Sequence, residues 1–224
     1  MSIRVNINRL RLEIPGDVKI IAISKTKSPE QILEVYDAGH RLFGENRVQE
    51  LTEKAGILPE DIQWHMVGHL QTNKVKYIIP FVSLIHSVDS IKLLNVINIE
   101  SLKINKIQDC LIQVFIAKEE TKFGFSEAEL VSALRSQEFA QLYNVRIAGL
   151  MGMATFTEDE SVVREEFGNL AGIFNRIKRD FFPDHDYFRE LSMGMSGDYR
   201  IAIEEGSTMV RIGTLIFGER LSKI

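Results

Sequence analysis

Apolar runs and amphipathic runs alternate along this chain. Eight short apolar runs have the length and β-branched content of strands: residues 19–25, 41–45, 63–68, 83–88, 110–116, 146–152, 187–192 and 209–213. Several are apolar on both faces, as strands of a covered parallel sheet are. The segments between them carry helix signals. Ser28, Pro29 and Gln31 form an N-cap, a first-turn proline and a reach-back partner, and the predicted helix runs through Ile32, Leu33 and Tyr36 to Gly39. Ser126 and Glu129 form a second capping box ahead of Leu130, Val131 and Leu134. Phe167, Leu170, Ala171, Phe174 and Ile177 fall on one helical stripe, and a last helix is expected to open at Ser196 and close at Gly206.

Eight βα units predict an α/β fold, a single (β/α)8 TIM barrel over residues 1–224. An open doubly wound sheet fits less well, since no Gly-x-Gly-x-x-Gly follows the first strand. The five prolines lie at helix starts and in loops, and no linker or low-complexity stretch divides the chain.

Composition narrows the function. Hydrophobic residues make up 45% and charged residues 26%, ordinary for a globular protein. A net charge of -4 without a basic, aromatic-interleaved run argues against nucleic-acid binding. The single cysteine, Cys110, excludes an internal disulfide and a cysteine-rich metal site, and reads as a small buried hydrophobe. With neither a signal-peptide layout nor an apolar stretch of bilayer length, a cytoplasmic location is the expectation.

Chemistry in a barrel belongs at the C-terminal strand ends. Strand one ends in Lys25, strand two in Gly44-Glu45-Asn46, strand three in Gly68-His69, and strand four in Ser87 and Asp89. Strand six ends in Gly149 through Met153, strand seven in Ser192 through Ser196, and strand eight carries Arg211, Gly213 and Thr214. A lysine at the mouth of a core is partly desolvated, which tends to lower its pKa and make it nucleophilic toward a carbonyl. The ends of strands seven and eight are the usual phosphate site of a barrel. There Ser192, Gly194, Ser196, Gly213 and Thr214 offer hydroxyls, close backbone N–H groups and a helix start. A ligand with an aldehyde and a phosphate suits both features, and pyridoxal 5'-phosphate is the candidate, with its Schiff base on Lys25. Arg211, if inward, would hydrogen-bond the pyridine nitrogen and keep it unprotonated. A class I aldolase holding a phosphosugar satisfies the same lysine and anion cradle.

Blocks spread along the chain resemble one family. They are Ser24-Lys25-Thr26-Lys27, Phe43-Gly44-Glu45-Asn46, Trp64 through Lys74, Ile85 through Ser90, Thr121-Lys122-Phe123-Gly124-Phe125, Gly149 through Met153, Leu191 through Ser196, and Arg211-Ile212-Gly213-Thr214 with Phe217-Gly218. In this order they resemble the pyridoxal phosphate homeostasis proteins, the YggS or PROSC family. The resemblance implies a fold-type III barrel like the N-terminal domain of alanine racemase, with Lys25 carrying the cofactor. It places Asn46 near the ring, Met151 in the binding set, Ser192, Ser196, Gly213 and Thr214 at the phosphate, and Arg211 at the ring nitrogen. It further implies a carrier that buffers pyridoxal phosphate and hands it to apoenzymes, with no catalytic residue; no metal is expected from the residues themselves. Two departures are visible. The N-terminal helix common in the family looks trimmed, and Ser28 displaces a proline to Pro29.

The competing class is a pyridoxal phosphate-dependent amino-acid racemase, which needs an acid–base group on each face of Cα. Of five tyrosines, only Tyr199 falls near a C-terminal strand end. The racemase β domain that pairs subunits has no counterpart after strand eight, so a monomer is expected. His65 and His69 have a zinc-like spacing but no evident third ligand. Lys74, opening a helix near the rim, is read as solvated, with a second phosphate contact or cofactor attachment as the sharper option.

Overall fold

The computed structural model describes residues 2–117 and 123–219. Its sheet is a closed parallel barrel in which every strand neighbours the next in sequence and β8 pairs with β1. The strands are β1 (Lys19–Ile23), β2 (Leu42–Glu45), β3 (Gln63–Met66), β4 (Val82–Val88), β5 (Gln108–Gln113), β6 (Val145–Met151), β7 (Glu190–Met195) and β8 (Met209–Ile212). Outside them run α1 (Ile3–Glu13), α2 (Pro29–Asp37), α3 (Val48–Ala55), α4 (Val75–Ile78), α5 (Ile91–Leu102), α6 (Glu127–Leu134), α7 (Gln137–Ala140), α8 (Glu160–Phe181), α9 (Tyr199–Glu204) and α10 (Thr214–Phe217).

Strand alternation divides the core in two. Along β1, Ile20 and Ala22 face the helices, while Ile21 and Ile23 face inward. The barrel interior is filled by Ile21, Ile23, Leu84, Leu111, Ala148, Met151 and Met209. The larger core lies between sheet and helices. There α8 buries Val163, Phe167, Leu170, Phe174 and Ile177, and Phe174 and Phe182 stack on Phe188. Cys110 belongs to this layer, and burial pushes its thiol pKa up.

Close strand approach depends on Gly149, whose φ is 153° and where a Cβ would lie 1.8 Å from the Glu190 carbonyl oxygen. Any side chain there would wedge β6 from β7.

Three sequence expectations change. The N-terminal segment is not trimmed of its helix: α1 forms, capped by the Ser2 side chain, with Ile7 and Leu10 buried. Its scattered polar residues are the exposed face of a helical period. β7 runs three residues beyond the expected end at Ser192, because a register shift against β8 lets Met195 pair with Arg211. Consequently Ser196 does not open the following helix. α9 starts at Tyr199, after Asp198. The predicted Ser28 and Ser126 capping boxes are both present.

Candidate functional site

Beyond β1 the chain turns through Ser24, Lys25 and Thr26. The Ser24 N–H donates to the Gly44 carbonyl at 3.0 Å, and its hydroxyl donates to Glu45 Oε1 at 2.6 Å. Lys54, buried on α3, donates to the Ser24 carbonyl at 2.8 Å, to Glu45 Oε1 at 2.7 Å and to Glu50 Oε1 at 2.6 Å. Thr26 has a positive φ of 66°, and its N–H donates to the same Glu50 oxygen at 2.5 Å. A buried charge network on the outer face of the sheet thus clamps the turn that presents Lys25. Burial pushes the Glu45 carboxyl up, against the opposing pull of Lys54 and Ser24.

Lys25, half-buried, lines a cavity of about 400 Å³ at the C-terminal end of the barrel. Asn46, Ser196, Arg211, Gly213 and Thr214 line it too. Asn46 is held by the chain crossing at Gly68, where a Cβ would come within 2.3 Å of the Asn46 carbonyl oxygen. Six of the eight expected site residues therefore share one cavity. Ser192 and Met151 do not line it. Met151 packs in the barrel interior, and Ser192 is fully buried with its hydroxyl engaged beneath the site.

Arg211 does face inward. Its Nη1 donates to the Ser192 carbonyl at 2.9 Å and hydroxyl at 2.7 Å, and its Nη2 donates to the Gly152 carbonyl at 3.0 Å. A guanidinium has five N–H donors, so two are left outside these bonds, and Arg211 lines the cavity. Burial lowers the Arg211 pKa to about 10, while Asp198 opposes that shift, so it stays a cation at neutral pH. Below Ser192, its hydroxyl lies 3.0 Å from His86 Nδ1, and His86 Nε2 lies 2.9 Å from His65 Nδ1.

At the rim, the Gly213 N–H donates to Ser196 Oγ at 3.3 Å. Among the described residues, the backbone N–H groups of Ser196, Gly197, Thr214 and Leu215 have no hydrogen-bond partner. Clustered donors of this kind suit a phosphate. They come from two loops and the single turn of α10, not from a helix opening at Ser196.

Sequence reading named Met153 at the end of strand six but missed the rest of the third wall. Met153, Ala154, Thr155, Phe156 and Thr157 follow β6 into the cavity. Glu166 of α8 pins this loop, accepting from the Thr155 N–H at 2.7 Å and hydroxyl at 2.8 Å. The loop's position after a strand end was a usable signal; the pairing with Glu166 was not. Asp198 also lines the cavity, with burial pushing its carboxyl up.

Other candidates separate. Tyr199 is buried and donates its hydroxyl to Glu13 Oε2 at 2.9 Å, away from the cavity lining. His65 lies inside the barrel, whereas His69 sits at the rim, 3.0 Å from Asp89. Among the described residues no group of three His, Cys, Asp or Glu could hold a metal. Lys74 lies over the Tyr77 ring beside a neighbouring cavity that shares Asn46. Thr121 and Lys122 of the resemblance blocks lie outside the described residues. No described helix is long and apolar enough to cross a membrane.

Known proteins resemble this chain in sequence and in structure. The family model described as "Alanine racemase, N-terminal domain" matches residues 1–221. The pyridoxal phosphate homeostasis protein of Aquifex aeolicus is 43% identical, the match covering 90% of this chain and 87% of that protein. The human protein of the same name is 36% identical, over 90% of this chain and 76% of that protein. Among solved structures, PipY of Synechococcus elongatus with pyridoxal phosphate bound is similar, with a TM-score of 0.87 and 33% identity over 97% of this chain and 100% of that one. An alanine racemase of Clostridium difficile shares the fold at a TM-score of 0.75 and 14% identity, over 99% of this chain but 57% of that one.

Proposed function

The chain belongs to the alanine racemase N-terminal domain family and, within it, to the pyridoxal phosphate homeostasis proteins; on that premise we propose that it binds pyridoxal 5'-phosphate covalently through Lys25 and serves intracellular vitamin B6 homeostasis without turning over a substrate. The observation that carries this reading is that Lys25, the spare donors of Arg211 and the rim of unpartnered N–H groups converge on one cavity. The relatives' names and the cofactor-bound PipY support the choice of ligand.

When bound, pyridoxal 5'-phosphate supplies an aldehyde that reacts with an amine and a ring that can accept electrons. The protein's part follows from its own groups. Lys25 offers the amine, braced from behind by Ser24, Glu45 and Lys54. The backbone donors of Ser196, Gly197 and Thr214 and the Ser196 and Thr214 hydroxyls orient a phosphate. Arg211 would donate a hydrogen bond to the ring nitrogen and, having no readily given proton, would leave that nitrogen unprotonated and the ring a weak electron sink. A site of that kind suits holding a cofactor more than driving carbanion chemistry. Hand-over to cofactor-dependent apoenzymes is the corresponding cellular role.

A racemase needs a second acid–base group facing Lys25 across Cα. Tyr199, the residue best placed by sequence, is tied to Glu13 instead. Incubation with L-alanine in deuterated water is expected to leave Cα unlabelled. Label that disappears in Tyr199→Phe would establish the enzyme and end the carrier-only reading. Binding itself is tested by titrating pyridoxal 5'-phosphate and following visible absorbance. The wild-type protein is expected to turn yellow, and Lys25→Ala to keep its circular dichroism but gain no imine band. An unfolded Lys25→Ala, or an unchanged band, would contradict the assignment.

A further inference from the structure

Four polar side chains form a hydrogen-bonded file across the barrel interior: His65 on β3, His86 on β4, Ser192 on β7 and Arg211 on β8. All are buried, His86 and Ser192 completely. A guanidinium only donates, so the Ser192 oxygen accepts from Arg211 Nη1. The one proton of the Ser192 hydroxyl then needs an acceptor. Among the described residues its remaining neighbour within hydrogen-bonding distance is His86 Nδ1, at 3.0 Å. Nδ1 must therefore be unprotonated, and neutral His86 carries its proton on Nε2. That proton goes to His65 Nδ1, at 2.9 Å. The reverse direction strands a buried hydroxyl proton, which costs about 1–3 kcal/mol. A charged His86 is disfavoured because burial, then His65 and Arg211, push its pKa well below the ordinary value.

We propose that His86 is a positioning residue for Arg211: held as the Nε2–H tautomer by His65, it takes the Ser192 proton and fixes the Ser192 oxygen as the acceptor that aims the guanidinium at the cofactor ring. The role at the ring rests on the cofactor reading above; the tautomer file does not. No other titratable side chain is hydrogen-bonded to His86 among the described residues.

Two measurements test it. First, nitrogen NMR of histidine-labelled, cofactor-free protein is expected to show His86 neutral, with Nε2 protonated and Nδ1 bare. A proton on Nδ1 would overturn the proposal. Second, pyridoxal 5'-phosphate is titrated into His86→Leu, His86→Asn and Ser192→Ala. The Leu and Ala variants are expected to bind about tenfold more weakly, the size of one hydrogen bond to a charged group. The Asn variant, which keeps an acceptor near Nδ1, should stay within about threefold of wild type. His86→Leu/Ser192→Ala should lose no more than either single change, because both break one file. The pH profile of the bound chromophore should shift in the Leu and Ala variants in the same sense as in Arg211→Ala, an effect that general loosening of the barrel does not produce. Additive losses, or Asn behaving like Leu, would contradict the file. If the wild-type protein takes up no pyridoxal 5'-phosphate, the cofactor reading fails, the positioning role falls with it, and the tautomers then judge only the file.

Discussion

Lys25 sits in a turn gripped from the outer face of the sheet by Ser24, Glu45, Lys54 and Glu50. The Glu45–Lys54 pair is buried, so its loss is asymmetric: removing one partner strands the other charge. Lys54→Met is expected to cost about 3–5 kcal/mol of stability in urea unfolding. Lys25→Ala should cost far less, since Lys25 sits half-buried at the cavity edge. Equal losses for the two variants would remove the clamp from the account. The sequence makes Lys25 conspicuous because it ends an apolar run. It gives no such signal for Lys54: Glu50 lies one helical turn before it on α3, but its other partners, Glu45 and Ser24, come from β2 and the turn after β1.

Among the elements, the strands were legible because each is a short apolar run between helical segments. Their ends were less so. The three-residue extension of β7 depends on a register shift against β8, a pairing no single segment encodes. It moves Ser192 from the expected phosphate loop into the barrel interior and delays α9 to Tyr199. α1 was obscured for the opposite reason: its polar residues dominate, and only Ile7 and Leu10 are buried. Close approach of β6 and β7 leaves no room for a side chain at residue 149. A Cβ at residue 149 would meet the Glu190 carbonyl at 1.8 Å. Gly149→Ala should therefore destabilise the fold by at least about 1–3 kcal/mol, the usual cost of overpacking, as read by thermal or urea unfolding. A neutral substitution would mean that the two strands separate freely.

For the molecule as a whole, three histidines are held neutral by burial. His40 is lowered to about 4 and His65 to about 3, and His86 lies well below its ordinary value. Their folded pKa values are depressed below the unfolded value of about 6.5. Below that pH the unfolded chain takes up protons that the folded barrel refuses. Stability is thus constant with respect to these groups above about pH 6.5 and falls as pH drops toward the folded values. The slope is about 1.4 kcal/mol per pH unit for each histidine. Urea unfolding between pH 7 and pH 5 should show this loss before the exposed carboxylates begin to protonate. A flat profile over that window would show that the imidazoles become charged inside the fold. Barrel topology and the location of the cavity followed from the eight-fold alternation and the small, polar strand ends. The buried file from His65 to Arg211 did not, since it joins four strands across the interior and only closure of the barrel brings them together.

The most direct test of the central claim is borohydride reduction of the protein loaded with pyridoxal 5'-phosphate, followed by peptide mapping. A single stable adduct on Lys25 is expected, lost in Lys25→Ala. An adduct confined to another lysine, or none at all from a protein that stays folded, would contradict it.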